Sequence, residues 1–437
     1  MTERATAPPP ASEPETVPSV AARLAFYQRA GGIATPLVTV VVAFLIGGLA
    51  VLVFTGENPL GTYKAIFKGA GLNWFLEVGS HSIGVPFTDW HVWFPWDTRT
   101  LNTTGAPQPT SEAADNLIQT LLVFTPLVLT GLAVAFAFRC GLFNIGGNGQ
   151  YTVGAIAGVQ TGIWFASLPK PVHILIAMSV AAVAGALWAG IAGVLKATVG
   201  AHEVITTIML NWIALWVGSW LVGFGGPLQN PAPGFESVAE TKPIAESAKL
   251  SVFWGDPLLQ GLHIGFFVAL GALVVYWITL NRTTLGYEVR AVGYNPEAAR
   301  YGGISVAKNY FLAMAISGAF AGLAGGMDLL GGPLQYKLEI TVIQSTQLGF
   351  IGIAVALLGR NTAVGVLFSA LLFACLLTGT TTRALEESVF KPELAQNLTR
   401  IIQGLVVLFV GADVLILYLW SARRKLGLAR RRDEVAA

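Results

Sequence analysis

Charge is what this sequence lacks most. Of its 437 residues only 11% are Asp, Glu, Lys or Arg, while 54% are hydrophobic. A soluble domain carries roughly 25% charged residues. So few charges cannot cover a water-facing surface at this length, which excludes a soluble globular fold. The net charge of +2 gathers no polyanion, so nucleic acid is not expected as a partner. Cysteine is nearly absent: Cys140 and Cys375 fall in or beside apolar runs, with no disulfide or metal-ligand spacing, and read as small core residues. No G-x-x-x-x-G-K-[ST] phosphate loop occurs, so the chain cannot cradle ATP itself. His202–Glu203 lacks the second histidine of an H-E-x-x-H zinc site. No membrane-embedded nucleophile and base stand together either. Catalytic residues and a bound metal are not expected.

Long apolar runs are what is there. About ten reach or approach the roughly 20 residues that cross a hydrocarbon core, near 34–55, 117–138, 150–168, 172–195, 204–223, 262–280, 310–330, 347–358, 362–380 and 398–420. The expected fold class is an all-α polytopic membrane protein of about ten transmembrane helices, some broken or re-entrant, with lipid as its solvent. Lys and Arg set the orientation. With both termini cytoplasmic, Lys196, Arg360, the 281–309 loop and the basic tail 423–437 all fall inside. That loop carries Arg282, Arg290, Arg300 and Lys308; the opposite choice pushes this charge outward. The opening MTERATAPPPASEPETVPSV is Pro-, Glu- and Thr-rich, so 1–30 reads as a disordered cytosolic tail and not a secretory signal. The membrane region then covers 31–422. Within it, 56–115 is an extracytoplasmic insertion rich in Trp, His and Asp. His81, Asp89 and His91 could ligate zinc, but histidines in a polar loop are more often simply solvated, and Trp clusters mark membrane interfaces. A second outer loop, 224–261, is Pro- and Gly-rich and suits a lid or docking surface.

Polar interruptions of the apolar runs mark where chemistry could occur. Residues 141–150, GLFNIGGNGQ, separate two greasy stretches. They are either a broken helix, with Asn144, Asn148 and Gln150 lending neutral donors and acceptors to a solute pathway, or a tight cytosolic turn. Later, the apolar piece Leu348–Leu358 is too short to cross alone, and Gln344 and Gln347 precede it at helical spacing. A glycine-interrupted segment in each half suggests a duplicated design with a site between the halves. Glu203, Thr207 and Asn211 form one helical stripe, of which Asn211 is the pathway candidate. In the loop NRTTLGYEVRAVGYNPEAARYGGISVAKN, Asn295 can cap, Pro296 suits the first turn and Glu297 favours the positive end of the dipole. A short amphipathic helix flanked by Arg290 and Arg300 is expected, as a docking element or a lipid-contacting loop.

Glu297, Ala298 and Ala299, followed by Gly303, resemble the coupling loop of permease subunits of ATP-binding cassette importers. GLFNIGGNGQ, HEVITTIMLNWIA, LGYEVRAVGYNPEAARYGGI and GFIGIAVALLGR are similar to the branched-chain amino acid and simple-sugar permease group, its nucleoside-type members above all. The resemblance runs from about Leu117 to Leu417. It implies that Glu297, Ala298, Ala299 and Gly303 insert into a groove on a cytosolic ATPase, which holds ATP and Mg. It also implies a second permease (the same or homologous), an extracytoplasmic substrate-binding lipoprotein, and a bacterial-type plasma membrane. The sequence departs from the pattern at Asn148 and Ile351, where acids are common. A neutral pathway suits an uncharged solute, so nucleoside import is the expected function. The alternatives are a simple sugar or branched-chain amino acid or, from another class, an ATPase-independent secondary transporter or channel.

Overall fold

The computed structural model describes residues 40–49, 52–53, 58–76, 82–84, 91–93 and 112–380, less 236, 256–260, 333–335 and 346, together with 401 and 404. Both expected tails, nearly all of the span near 398–420, and His81 and Asp89 lie outside these residues. His91 opens a short strand, β2 (His91–Trp93), paired antiparallel with β1 (Ser82–Gly84). Among the described residues no three potential ligands cluster as a metal site.

The remaining regular elements are helices, apart from two short 3-10 turns and a second hairpin, β3 (Val252–Trp254) with β4 (Leu262–His263). The helices are α1 (Val40–Leu49), α2 (Pro59–Gly69), α3 (Glu112–Arg139), α4 (Gly147–Trp164), α5 (Lys170–Val199), α6 (Glu203–Val222) and α7 (Gly265–Arg282). They continue as α8 (Thr284–Tyr294), α9 (Pro296–Tyr301), α10 (Val306–Gly331), α11 (Ile340–Ser345), α12 (Leu348–Leu358) and α13 (Ala363–Gly379). Among the described residues six stretches are long and apolar enough to cross a membrane, against the ten expected: α3, α5, α6, α7, α10 and the α11–α12 run. Helices α1 and α13 are apolar but shorter. Helix α4 is not among the six, because Asn148, Gln150 and its glycines dilute its apolar content.

Two long helices, α3 and α10, form the centre and pack on each other. Around them the packing is exchanged: α3 carries α12 and α13, while α10 carries α4 and α5. Swapping α3 for α10, α4 for α12 and α5 for α13 maps these contacts onto one another, the duplicated design expected from the interrupted segments. Both central helices stop at a left-handed glycine, Gly141 (φ 73°) and Gly332 (φ 106°).

Glycine also sets how closely these helices approach. A Cβ on Gly322 of α10 would lie 2.4 Å from the Ala181 carbonyl oxygen and 2.8 Å from Gly185 Cα, both on α5. One on Gly154 of α4 would lie 2.2 Å from the Gly322 oxygen. In lipid no hydrophobic drive joins helices, so close backbone contact through small residues supplies the cohesion.

Each end of the bundle is tied off. At one end, Arg139 donates from Nε and Nη2 to the Asn361 carbonyl at 2.9 and 2.6 Å, and the Tyr276 hydroxyl donates to the same oxygen at 2.8 Å. Lys196 pairs with Glu203 there at 2.9 Å, closing the α5–α6 turn. At the other end the loop after α6 runs against the segment after α10. Thr241 N donates to Leu338 O at 3.0 Å, Ile244 N to Tyr336 O at 2.9 Å and Leu250 N to Leu330 O at 2.8 Å. Lys337 bridges Glu240 at 2.6 Å and Glu339 at 3.2 Å, and these carboxylates hold its ammonium above the usual lysine range. His263 is buried against Gly331 beneath this cap.

Gly322→Ala places a methyl group into backbone, an overpacking that costs about 1–3 kcal/mol. Thermal unfolding in detergent should report that loss. Gly271→Ala, where a Cβ meets nothing within 4 Å, should be neutral or slightly stabilising.

Candidate functional site

The break after α3 is both a turn and a re-entry. Gly141 reverses the chain, with Leu142 N donating to Ala137 O at 3.1 Å, and lies against Gly293 at the tied end. Residues 142–146 then climb back as irregular backbone. Asn144 Nδ2 reaches Ser317 Oγ at 2.7 Å, and Ser317 donates to Ala133 O at 2.5 Å. At ~1.5 Å per residue, Ser317 sits about 16 Å from the start of α10, so α4 begins at depth. Asn144 and Gln150 are buried and exchange two hydrogen bonds of 2.9 Å; Asn144 Oδ1 also accepts from Gly146 N at 2.8 Å. Both side chains are closed to solvent in this conformation.

Helix α4 starts without a side-chain cap and without an acid in its first turn. Its orphan donors are met from α6 instead: Asn211 Oδ1 accepts from Gly149 N at 2.7 Å, and its Nδ2 donates to Ile145 O at 2.9 Å. One amide thus serves the first turn of α4 and the irregular strand before it. Helix α12 also begins without a side-chain cap or an acid. A Cβ on its Gly349 would fall 2.2 Å from Asn148 N, so the two helix starts touch. They lead apart, α4 toward the Ile244 end and α12 toward the Asn361 end. Two partially positive N-termini therefore meet inside the bundle. The Asn148 amide oxygen is buried and has no hydrogen-bond partner among the described residues. Gln344 and Gln347 are exposed and do not share a helix: Gln344 lies on α11, Gln347 precedes α12, and the chain breaks between them. Of the α6 stripe, Thr207 is buried and bonded to Glu203 O at 2.8 Å, and Glu203 is engaged by Lys196, which leaves Asn211 at the junction. The junction offers neutral amides and backbone groups, a donor set for an uncharged polar solute.

The expected loop 281–309 is largely helix. Thr283 caps α8 at Gly286 N, 3.1 Å, and half-buried Arg290 donates to Gly286 O at 3.1 Å. Asn295 caps α9 by accepting from Ala298 N at 3.1 Å, with Pro296 in the first turn. The helix stops in a Schellman arrangement: Gly303 N donates to Arg300 O and Ile304 N to Ala299 O, each at 3.0 Å. Gly303 has φ 80°, the conformation that favours glycine there. Ala299 is buried, whereas Glu297, Ala298 and Arg300 are exposed, the two charges 3.4 Å apart. The unit is clamped to the central helices, since Gly293 abuts the Arg139 carbonyl of α3 and Asn309 of α10 donates to Glu288 of α8 at 3.1 Å. Tyr294 and Tyr301 beside α9 are 93% and 95% exposed. With Tyr287 they recur every seven residues, a signal the sequence reading passed over.

A family model described as "Branched-chain amino acid transport system / permease component" matches residues 116–411. The chain belongs to this permease family. The permease is 41% identical over 317 residues to the guanosine ABC transporter permease protein of Bacillus subtilis, covering 71% of this chain and 84% of that one. It is 33% identical over 386 residues to the nucleoside ABC transporter permease protein of Lactococcus lactis, covering 87% and 91%. It is also 33% identical over 380 residues to the glucose ABC transporter permease protein of Haloferax volcanii, covering 86% of each. No solved structure matches. A permease is a transport component and not an enzyme, and its apolar helices make it a membrane protein.

Asn211→Leu orphans the Gly149 N–H and the Ile145 carbonyl, at about 1–3 kcal/mol for each buried group. The variant should unfold earlier in detergent and lose uptake about tenfold. Asn211→Asp keeps the bond from Gly149 and should fall between. Wild-type stability and uptake in both would remove Asn211 from the site.

Proposed function

We propose that this permease is the membrane-spanning subunit of an ATP-driven importer of nucleosides. The observation that carries this reading is the junction of two interrupted segments, where α4 and α12 start against each other and Asn148 and Asn211, with Gln347 at the start of α12, supply neutral groups; Gln344 on α11 is assigned to the same pathway. A nucleoside is uncharged and bears hydroxyl, carbonyl and ring-nitrogen groups that such amides can match. Asn144 and Gln150 then act behind the pathway, bracing the re-entrant strand. Nucleoside and guanosine permeases among the relatives support the substrate class. The glucose permease relative keeps a sugar as the second reading, because a ribose and a hexose present similar hydroxyl groups.

Energy enters from a partner in this reading. A cytosolic ATPase holding ATP and Mg docks on α9 at Glu297, Ala298, Ala299 and Gly303, with Arg290 and Arg300 alongside. Both chain termini lie on that cytoplasmic side. Closure of the ATPase moves α8 and α9 as one lever, because the caps at Thr283 and Asn295 and the Gly303 stop fix their shape. The clamp on Arg139 and Asn309 passes the motion to α3 and α10, which carry opposite wings of the bundle. A second permease, the same or homologous, completes the conduit, and a substrate-binding lipoprotein meets the cap around Glu240, Thr241, Ile244 and Lys337.

Co-purification of the ATPase tests the lever. Glu297→Lys reverses the charge at the start of α9 and should cut ATPase recovery at least about tenfold (about 1.4 kcal/mol), leaving the permease itself folded. Undiminished recovery would count against docking at α9. ATP-independent uptake by proteoliposomes holding this chain alone would place it among secondary transporters.

A further inference from the structure

Arg139 closes α3 where the α8–α9 unit meets the bundle, and its main chain and side chain touch different elements. A Cβ on Gly293 of α8 would lie 2.3 Å from the Arg139 carbonyl oxygen, so α8 rests directly on the last turn of α3. The guanidinium reaches the turn between α12 and α13, where Nε and Nη2 both donate to the Asn361 carbonyl. The Tyr276 hydroxyl of α7 donates to the same oxygen. One residue thus meets the proposed lever through its backbone and the end of α12 through its side chain.

Two features set this tie apart from ordinary helix capping. The first is its acceptor. Any basic residue suits the negative end of α3, but a two-bond grip needs the planar fork of arginine, which most often meets a carboxylate. Among the described residues Arg139 pairs with no carboxylate. Its charge, half-buried, is given to a main-chain oxygen. The second is the turn itself. Arg360 and Asn361 both have left-handed backbone, φ 50° and 53°. Helices α3, α5, α9 and α10 stop at glycines in that conformation, Gly141, Gly200, Gly303 and Gly332, because glycine adopts it at no steric cost. Residues with side chains persist there where the surroundings over-determine them. Here the surroundings are the three bonds to the Asn361 carbonyl, together with Asn361 N donating to Ala356 O at 3.0 Å. Helix α12 therefore ends in a stiff turn held from both α3 and α7.

From that turn the route to the junction is one short helix. Helix α12 has 11 residues, which is about 16 Å, and Gly349 at its start packs on Asn148 of α4. We propose that Arg139 is a positioning residue that couples the α8–α9 unit to α12, so that movement at Gly293 reaches the α4–α12 junction as the shift of a whole helix. The assignment rests on the ATP-driven reading and deepens it. Contacts at Gly131 and Gly352 hold α12 beside α3; the Arg139 fork adds the directional bond that fixes α12 along its axis.

The ratio of solute imported to ATP hydrolysed, measured in one preparation of the reconstituted full complex, tests this. The solute is guanosine or glucose, whichever the wild-type complex carries. Arg139→Gln should recover the ATPase as wild type and keep hydrolysis within about twofold, while the ratio falls about tenfold. Arg139→Lys, which keeps the charge and loses the fork, should fall between. Asn361→Gly keeps the carbonyl in a conformation glycine favours, and should match wild type. If Arg139→Gln does not assemble, Tyr276→Phe reads the same oxygen from α7 and should lower the ratio about threefold. A wild-type ratio in the assembled variants, even with earlier thermal unfolding, marks a purely structural tie and overturns the proposal while leaving ATP-driven import standing. Wild-type uptake that persists without ATP overturns the import reading and the coupling role with it.

Discussion

A backbone that leaves the helix inside a bilayer must find partners within the protein, since lipid offers none. In this permease the Asn211 amide meets that demand. It accepts from Gly149, which α4's missing cap would otherwise leave open, and it donates to Ile145 in the strand that precedes α4. The remainder of the break follows from this anchor. With the helix start fixed against α6, Asn144 and Gln150 can close on each other and on Ser317, and Gly147 and Asn148 can accept the backbone of α12 at Gly349. A site whose walls come from three helices stands on one side chain that touches two of its irregular segments.

Close packing explains how such a site could still move. Helices α4, α5 and α10 meet through glycine backbones with no interlocking side chains at Gly154, Gly185 and Gly322. Surfaces of this kind bind by contact area and present few ridges to hold a register, so they hold three helices as one wing. The wing of α3, α12 and α13 uses Gly131, Gly352 and Gly365 in the same manner, though with Val355 and Val366 side chains filling the gaps. Both wings are reached by the α8–α9 unit at one end, through Arg139 and Asn309. At the junction of α4 and α12 the two wings meet, since each helix belongs to a different one.

Much of this was legible in the sequence because the signals are local. Asn295, Pro296 and Gly303 state a capped helix and its stop by their own conformational preferences, and the helix is there. The apolar runs fix α3, α5, α6, α7 and α10. The stripe Glu203, Thr207 and Asn211 follows from helical period alone, and it faces inward. What stayed hidden depends on tertiary distance. Whether 141–150 turns at the surface or re-enters the bundle is decided by Ser317, far away in sequence. The spacing of Gln344 and Gln347 looks helical because period cannot report a break whose cause is the divergence of α11 toward α6 and α12 toward α3.

The two chemistries of the chain are also separated by kind. On the α8–α9 unit the side chains are ionic and aromatic and lie on the surface: the Glu297–Arg300 pair is two-thirds exposed, and an exposed pair at 3.4 Å contributes little to the fold. Charges that stabilise their own helix weakly are free to be re-paired by a docking surface at small cost. Tyr294 and Tyr301, rigid and amphipathic, stand on either side of them with nearly their whole area open. Within the bundle the logic reverses. Amides there are bonded to backbone or to each other, because an unpaired polar group in a low-dielectric interior costs far more than it does in water. The Asn148 oxygen, buried and unpartnered among the described residues, is an exception beside the meeting of two helix starts. A hydrogen-bond donor brought to that oxygen offsets the cost of leaving it unpaired.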